Sequence, residues 1–115
     1  MMKFACIPAY NEENTISDLV KIAKKFVDKV VVCDDGSTDD TVNNAKLAGA
    51  EIISHKKNQG YGAAITSLFD YCRMQNADVM ITLDGDGQHD PNQIPILLDT
   101  ISQHSVDVVL GSRFL

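Results

Sequence analysis

The chain has 115 residues, 44% of them hydrophobic and 6% aromatic, with Lys+Arg 10 against Asp+Glu 16 and a formal net charge of −6. This predicts one domain with a real core and excludes a disordered tail or a disulfide scaffold. No Lys/Arg cluster is long enough to track a phosphate backbone, so nucleic acid is not an expected partner, and no apolar run approaches the roughly 18 residues of a membrane span.

The elements alternate along the chain. Lys3-Phe4-Ala5-Cys6-Ile7 reads as a short buried strand that begins at the N-terminus with no signal peptide before it. Ile16, Leu19, Val20, Ala23, Phe26 and Val27 then fall on one helical face. Val30-Val31-Val32-Cys33 is a second buried strand. Ser37-Thr38-Asp39-Asp40 offers caps for a helix through about Ala48, which Gly49 ends. Glu51-Ile52-Ile53-Ser54 is a third strand. Gly60-Tyr61-Gly62 precedes a helix whose stripe is Ile65, Leu68, Phe69 and Cys72. Val79 to Leu83 is the fourth strand. Pro91 opens a helix with Ile94, Leu97, Leu98 and Ile101 as its stripe, and Val106 to Leu110 is the fifth strand.

Uniformly apolar strands separated by amphipathic helices predict an α/β fold: a doubly wound, mostly parallel sheet with helices on both faces. Cys6, Cys33 and Cys72 match no zinc spacing. They read as buried, reduced thiols, which points to a reducing compartment and a cytoplasmic location.

In such sheets ligands bind at the carboxyl ends of the strands. Polar and glycine-rich residues gather on that edge: Pro8-Ala9-Tyr10-Asn11-Glu12-Glu13 after the first strand, Asp34-Asp35-Gly36-Ser37-Thr38-Asp39 after the second, His55 to Gly62 after the third, Asp84-Gly85-Asp86-Gly87-Gln88-His89 after the fourth, and Gly111-Ser112-Arg113 after the fifth. The opposite edge has ordinary turns such as Val27-Asp28-Lys29.

Asp84 and Asp86, with glycine between them, can aim two carboxylates into one space. Like charges that close need a proton or cation between them, and hard divalent cations take carboxylate oxygens while often keeping a substrate phosphate. An EF-hand loop fails here, because the sixth position is His89 and the twelfth is Pro95. Asp34 and Asp35 are acceptors suited to a base N–H or ribose hydroxyls, whereas Ser37, Asp39 and Asp90 read as helix caps. Gly60 opens a helix N-terminus that attracts anions, although neither a dinucleotide fingerprint nor a P-loop is present. Arg113 is a lone cation suited to a phosphate. His89 reads as a surface residue at a helix entry, and His55 and His104 carry no assignment.

The motifs Pro8-Ala9-Tyr10-Asn11-Glu12, Asp34-Asp35-Gly36-Ser37-Thr38-Asp39 and Asp84-Gly85-Asp86 resemble, in this order, those of the large inverting glycosyltransferase family 2, which has the GT-A fold of nucleotide-diphospho-sugar transferases. The longer run Asp84-Gly85-Asp86-Gly87-Gln88-His89-Asp90-Pro91, followed by Gly111-Ser112-Arg113, is similar to the dolichol- or polyprenyl-phosphate mannosyl- and glucosyltransferase branch. The resemblance implies that Pro8, Tyr10, Glu12 and Asp35 line a nucleoside pocket, with Gly60 beside the nucleotide. It implies that Asp84 meets ribose or metal, that Asp86, with Gln88, ligates Mg²⁺ or Mn²⁺ at the diphosphate, and that Arg113 meets the donor phosphates. Asp84 and Asp86 are then the catalytic pair of a hexosyltransferase, moving sugar from a GDP- or UDP-linked donor to a lipid-phosphate or saccharide acceptor.

Family members run on into an acceptor half, so residues 1–115 read as the donor-binding part of a truncated domain. Its open final strand invites self-association, and the full-length protein is expected in the cytoplasm or on the cytoplasmic face of a membrane. Three other classes compete, of which a nucleotidyltransferase lacks its glycine-rich activation loop after the first strand. A non-catalytic nucleotide-binding or interaction module fits the same loops. A phosphoacceptor receiver domain would want its acid pair after the first strand and a lysine after the fifth, where this chain has Pro8-Ala9-Tyr10 and Gly111-Ser112-Arg113.

Overall fold

The computed structural model describes residues 2–83, 95 and 108–110. Its elements are β1 (Lys3–Ala9), α1 (Ile16–Ala23), β2 (Lys29–Asp34), α2 (Thr41–Ala48), β3 (Glu51–Ser54), α3 (Tyr61–Met74), β4 (Val79–Thr82) and β5 (Val108–Leu110). Among the described residues the strands form a five-stranded sheet in the order β3-β2-β1-β4-β5, and every pairing is parallel.

Strand side chains alternate between the two faces. Ala5, Ile7 and Ala9 of β1, Val30 and Val32 of β2, and Val79 and Ile81 of β4 pack with Ile16, Leu19, Val20 and Ala23 of α1 and Ala45 of α2. Phe4, Cys6, Val31, Cys33 and Met80 face the other way, onto Ala64, Leu68 and Cys72 of α3. Both faces are covered, which is why the central strands are apolar throughout.

The chain winds outward from β1 to β3, then crosses to the far side of β1 to lay down β4 and β5. The winding therefore reverses between β1 and β4, and a crevice opens outside the carboxyl ends of those two strands. Pro8 contributes to that opening. The carbonyl of Cys6 accepts from Leu83 N–H and that of Ala9 from Asp35 N–H, so alternate residues of β1 address β4 and β2 in turn. Pro8 falls in the β4-facing set and has no N–H to offer. The register of β1 with β4 ends at Cys6↔Thr82, whereas with β2 it continues through Pro8↔Cys33 to Ala9↔Asp34.

Several expectations shift in detail. β1 runs to Ala9 rather than Ile7. α1 stops at Ala23, because Lys25 and Phe26 N–H bond to the carbonyls three residues back and tighten the last turn. Phe26 and Val27 leave the helix but still pack on the core. The buried stripe of α3 is Ala64, Leu68 and Cys72, and Phe69 is an exposed residue rather than part of it. The 100° turn per residue carries Phe69 off the line that four-residue spacing sets. β3 is an edge strand with Glu51 and Ser54 exposed. The helix expected from Pro91 lies, Pro95 apart, outside the described residues, as do Val106 and Asp107. No helix of the described residues is long and apolar enough to cross a membrane.

Candidate functional site

Because all strands are parallel, the loops after β1, β2 and β3 and the end of β4 meet on one edge. The first two loops are zipped together. Asn11, at φ 51, donates its N–H to Ser37 Oγ at 2.8 Å and accepts Thr38 N–H on Oδ1 at 2.9 Å. The N–H of Glu12 reaches Thr41 Oγ1 at 2.8 Å, and Glu13 Oε2 accepts Asp40 N–H at 3.1 Å. Asp39 takes both the N–H and the hydroxyl of Thr41, so it caps α2 as the sequence suggests. Ser37 serves the link to Asn11 instead of a cap. The carbonyl of Glu12 also receives Thr15 and Ile16 N–H, which starts α1.

The second centre is Asp35, a 5% exposed carboxylate just beyond β2. Its Oδ1 accepts Gln59 N–H at 2.8 Å and faces His55 Nδ1 at 2.9 Å, and its Oδ2 accepts Gly60 N–H at 2.9 Å. Burial pushes the Asp35 pKa up. The N–H of Gln59, the His55 bond, the N–H of Gly60 and the charge of His55 outweigh that and leave it below the ordinary carboxylate value. The anion expected at the start of α3 is thus supplied by the chain itself. Gly36, at φ +81, lets the two loops touch: a Cβ there would lie 2.7 Å from Asn58 N and 2.8 Å from Lys57 C. Asp34, also buried, accepts Ser37 N–H on Oδ2 at 3.2 Å, while its Oδ1 has no hydrogen-bond partner among the described residues. The Cys33 thiol beneath is pushed up to about 11 by burial and by Asp35 and Asp34.

Pro8, Tyr10, Glu12, Asp35 and Gly60 therefore share the carboxyl edge of the sheet. Pro8 is buried, Glu12 half-buried and Tyr10 45% exposed, just past the end of β1. A Cβ at Gly60, at φ +101, would meet nothing within 4 Å among the described residues, so they leave that side of the backbone open to approach. Asp84, Asp86, Gln88 and Arg113 lie outside the described residues. Among the described residues no group of three His, Cys, Asp or Glu could hold a metal ion. The sequence reading missed His55, which joins Asp35 to Ser67 on α3. The one local signal was its place, one residue past the end of β3 on the loop-bearing edge.

Fold and edge together define a doubly wound α/β domain of the GT-A kind, whose strand order reverses between β1 and β4. The chain belongs to glycosyl transferase family 2, which it matches over residues 4–115. It is 31% identical to a UDP-N-acetylglucosamine–dolichyl-phosphate N-acetylglucosaminyltransferase of Methanococcus voltae, across 96% of this chain and 51% of that protein. It is 31% identical to an undecaprenyl-phosphate mannosyltransferase of Micrococcus luteus, across 98% of this chain and 49% of that protein. Among solved structures it is similar to glucosyl-3-phosphoglycerate synthase of Mycobacterium tuberculosis in complex with UDP, with TM-score 0.73 and 28% identity, covering 87% of this chain and 39% of that one. The same synthase is also solved with Mn²⁺, UDP and glucosyl-3-phosphoglycerate. The chain spans about half the length of the curated relatives it matches.

Proposed function

We propose that this chain forms the donor-binding part of a glycosyltransferase that moves a hexose, with inversion, from a GDP- or UDP-linked donor to a polyprenyl phosphate. The observation that carries this reading is Asp35, an ionised acceptor held by two backbone N–H groups and a histidine at the carboxyl edge of the sheet, next to the end of β1. A carboxylate oxygen accepts more than one hydrogen bond, and the Gly60 N–H takes only one position on Oδ2. An acceptor there suits a base edge bearing N–H, as uracil and guanine have. Cytosine and adenine present an acceptor nitrogen at that edge. In this reading Tyr10 and Pro8 border the base, Glu12 meets the nucleoside, and the open backbone at Gly60 lets the nucleotide approach.

Asp84, Asp86 and Gln88 would hold Mg²⁺ or Mn²⁺, since carboxylate and amide oxygens are the donor set such cations take. When bound, the cation supplies positive charge that stabilises the departing nucleoside diphosphate. Arg113 would pair with the donor phosphates. An acceptor oxygen attacks the anomeric carbon on the face opposite the leaving group, which inverts the configuration. A phosphate acceptor is already anionic, so it needs no base to remove a proton. The names of the polyprenyl-phosphate relatives support that acceptor class, and for a lipid-borne acceptor our reading is a reaction at the cytoplasmic face of a membrane.

The second reading is a nucleotide-binding module without catalysis, which the same Asp35 and Gly60 arrangement at the carboxyl edge also fits. Transfer of labelled hexose from UDP- and GDP-sugars to a polyprenyl phosphate, with the product anomer read by NMR, separates the two. Product of inverted configuration supports the transferase. Retained configuration, or binding without transfer by a protein carrying these residues at its full length, overturns it.

A further inference from the structure

We propose that His55 is a positioning residue for donor recognition: a Ser67–His55–Asp35 chain of hydrogen bonds fixes the imidazole with the hydrogen of Nδ1 on Asp35 and so aims the carboxylate. The inference rests on the reading of Asp35 as the residue that meets the base.

His55 Nδ1 lies 2.9 Å from Asp35 Oδ1 and His55 Nε2 lies 2.8 Å from Ser67 Oγ. The His55 and Asp35 side chains are only 9% and 6% exposed, so solvent does not compete strongly for these bonds. An ionised carboxylate only accepts, so Nδ1 must carry the hydrogen. In the neutral ring Nε2 is then an acceptor, and it takes the Ser67 hydroxyl hydrogen.

Among the described residues, the side chains bonded to the imidazole come from two elements: Asp35 and Cys33 from β2 and its end, and Ser67 from α3. Cys33 Sγ is 3.7 Å from Nε2 and is a neutral thiol, so it contributes no charge there. The backbone of His55 is itself fixed, with its N–H donated to the Asp34 carbonyl at 2.8 Å. The ring is thus a wedge between β2 and α3 at the edge where ligands bind. Without it, Asp35 keeps the Gln59 N–H on Oδ1 and the Gly60 N–H on Oδ2 but loses its one side-chain bond, and the carboxylate is held less tightly about its last torsion.

A Ser–His–Asp order also serves hydrolases, where the serine needs a substrate cleft and oxyanion donors beside it. Ser67 instead stands within α3, on its sheet-facing side, where its hydroxyl can orient the ring.

Two measurements test this. Long-range ¹H–¹⁵N NMR of the unliganded chain should show His55 with its hydrogen on Nδ1, and Ser67→Ala should admit the other tautomer. Titration of UDP and GDP with Mn²⁺ should show about tenfold weaker binding in His55→Leu. In His55→Asn the side-chain amide can still donate to Asp35, so binding should return to within about threefold of the parent. A merely structural role would not make Asn rescue what Leu loses. The inference is overturned if His55 carries its hydrogen on Nε2, or if a folded His55→Leu binds as the parent does. It is equally overturned if Asn is no better than Leu. If the parent binds neither nucleotide, the donor reading fails and the aiming role fails with it, whereas the tautomer result still decides the hydrogen-bond chain. Should His55→Leu not fold, Ser67→Ala and His55→Asn carry the comparison.

Discussion

Asp35→Asn removes one charge and almost no volume, so its effect falls on hydrogen bonding alone. Three donors converge on this carboxylate, two at Oδ1 and one at Oδ2. The asparagine amide would place its NH₂ against Gly60 N–H, because the other orientation opposes two donors instead of one. One buried N–H is then left unsatisfied, at about 1–3 kcal/mol, and the two bonds kept lose their charge assistance. The expected loss is about 3 kcal/mol at neutral pH, a large part of a domain's usual margin of about 5–15 kcal/mol. Urea unfolding followed by circular dichroism measures it. The pH dependence has a definite sign. The folded pKa of Asp35 lies below its ordinary value, so its stabilising contribution is fully present above that value, near 3.9, and is lost as pH falls through the folded pKa. Below that point the parent side chain is neutral too, and the gap between parent and Asn should shrink to about 1 kcal/mol. A variant within about 0.5 kcal/mol of the parent at neutral pH, or a gap that acid leaves unchanged, would refute the reasoning.

Three further outcomes are expected. Gly36→Ala should destabilise by at least about 2 kcal/mol, from positive-φ strain plus collision with the backbone of Lys57 and Asn58; Gly60→Ala, where a Cβ has room, should cost about 1–2 kcal/mol, and thermal melting of the two compares them. Cys33, held protonated to about 11, and Cys6, raised by its hydrogen bond with Cys72 and by burial, should resist iodoacetamide at mildly alkaline pH until denaturant is added, as peptide mass mapping would show. Pairing of two copies along the outer edge of β5, which has no partner strand among the described residues, should appear as a dimer in sedimentation at rising concentration; a monomer throughout would remove that proposal.

The fold was legible because local and global signals agree. Val30 to Cys33 and Val79 to Thr82 are apolar on both faces, which only a doubly covered strand explains, and Gly49 closes α2 at φ 104 in the left-handed region, as a C-terminal glycine should. The gathering of loops on one edge follows from parallel strands alone. What the sequence hides depends on contacts between distant segments. Nothing local to His55 says that Ser67, twelve residues on, and Asp35, twenty residues back, will both reach its ring. Asn11 reads as one polar loop residue, yet it latches the first motif to the second. The acidic pair after β2 looks like a single feature, but Asp35 accepts three donors while one oxygen of Asp34 has no partner among the described residues. The end of α1 and the exposure of Phe69 depend on how much of each helix the sheet can cover.

The central claim, a metal-assisted nucleotide site at the β1/β4 crevice, is tested most directly by thermal shift of the chain and of Asp86→Ala. UDP, GDP and their sugar conjugates are each added with Mn²⁺, Mg²⁺ or EDTA. Ligand at about 100 times its dissociation constant adds roughly 2.7 kcal/mol to stability, which is visible as a raised Tm. The account predicts a shift for the UDP or the GDP series that needs the divalent cation and disappears in Asp86→Ala. No shift with any nucleotide, or a shift indifferent to both EDTA and the substitution, would contradict it.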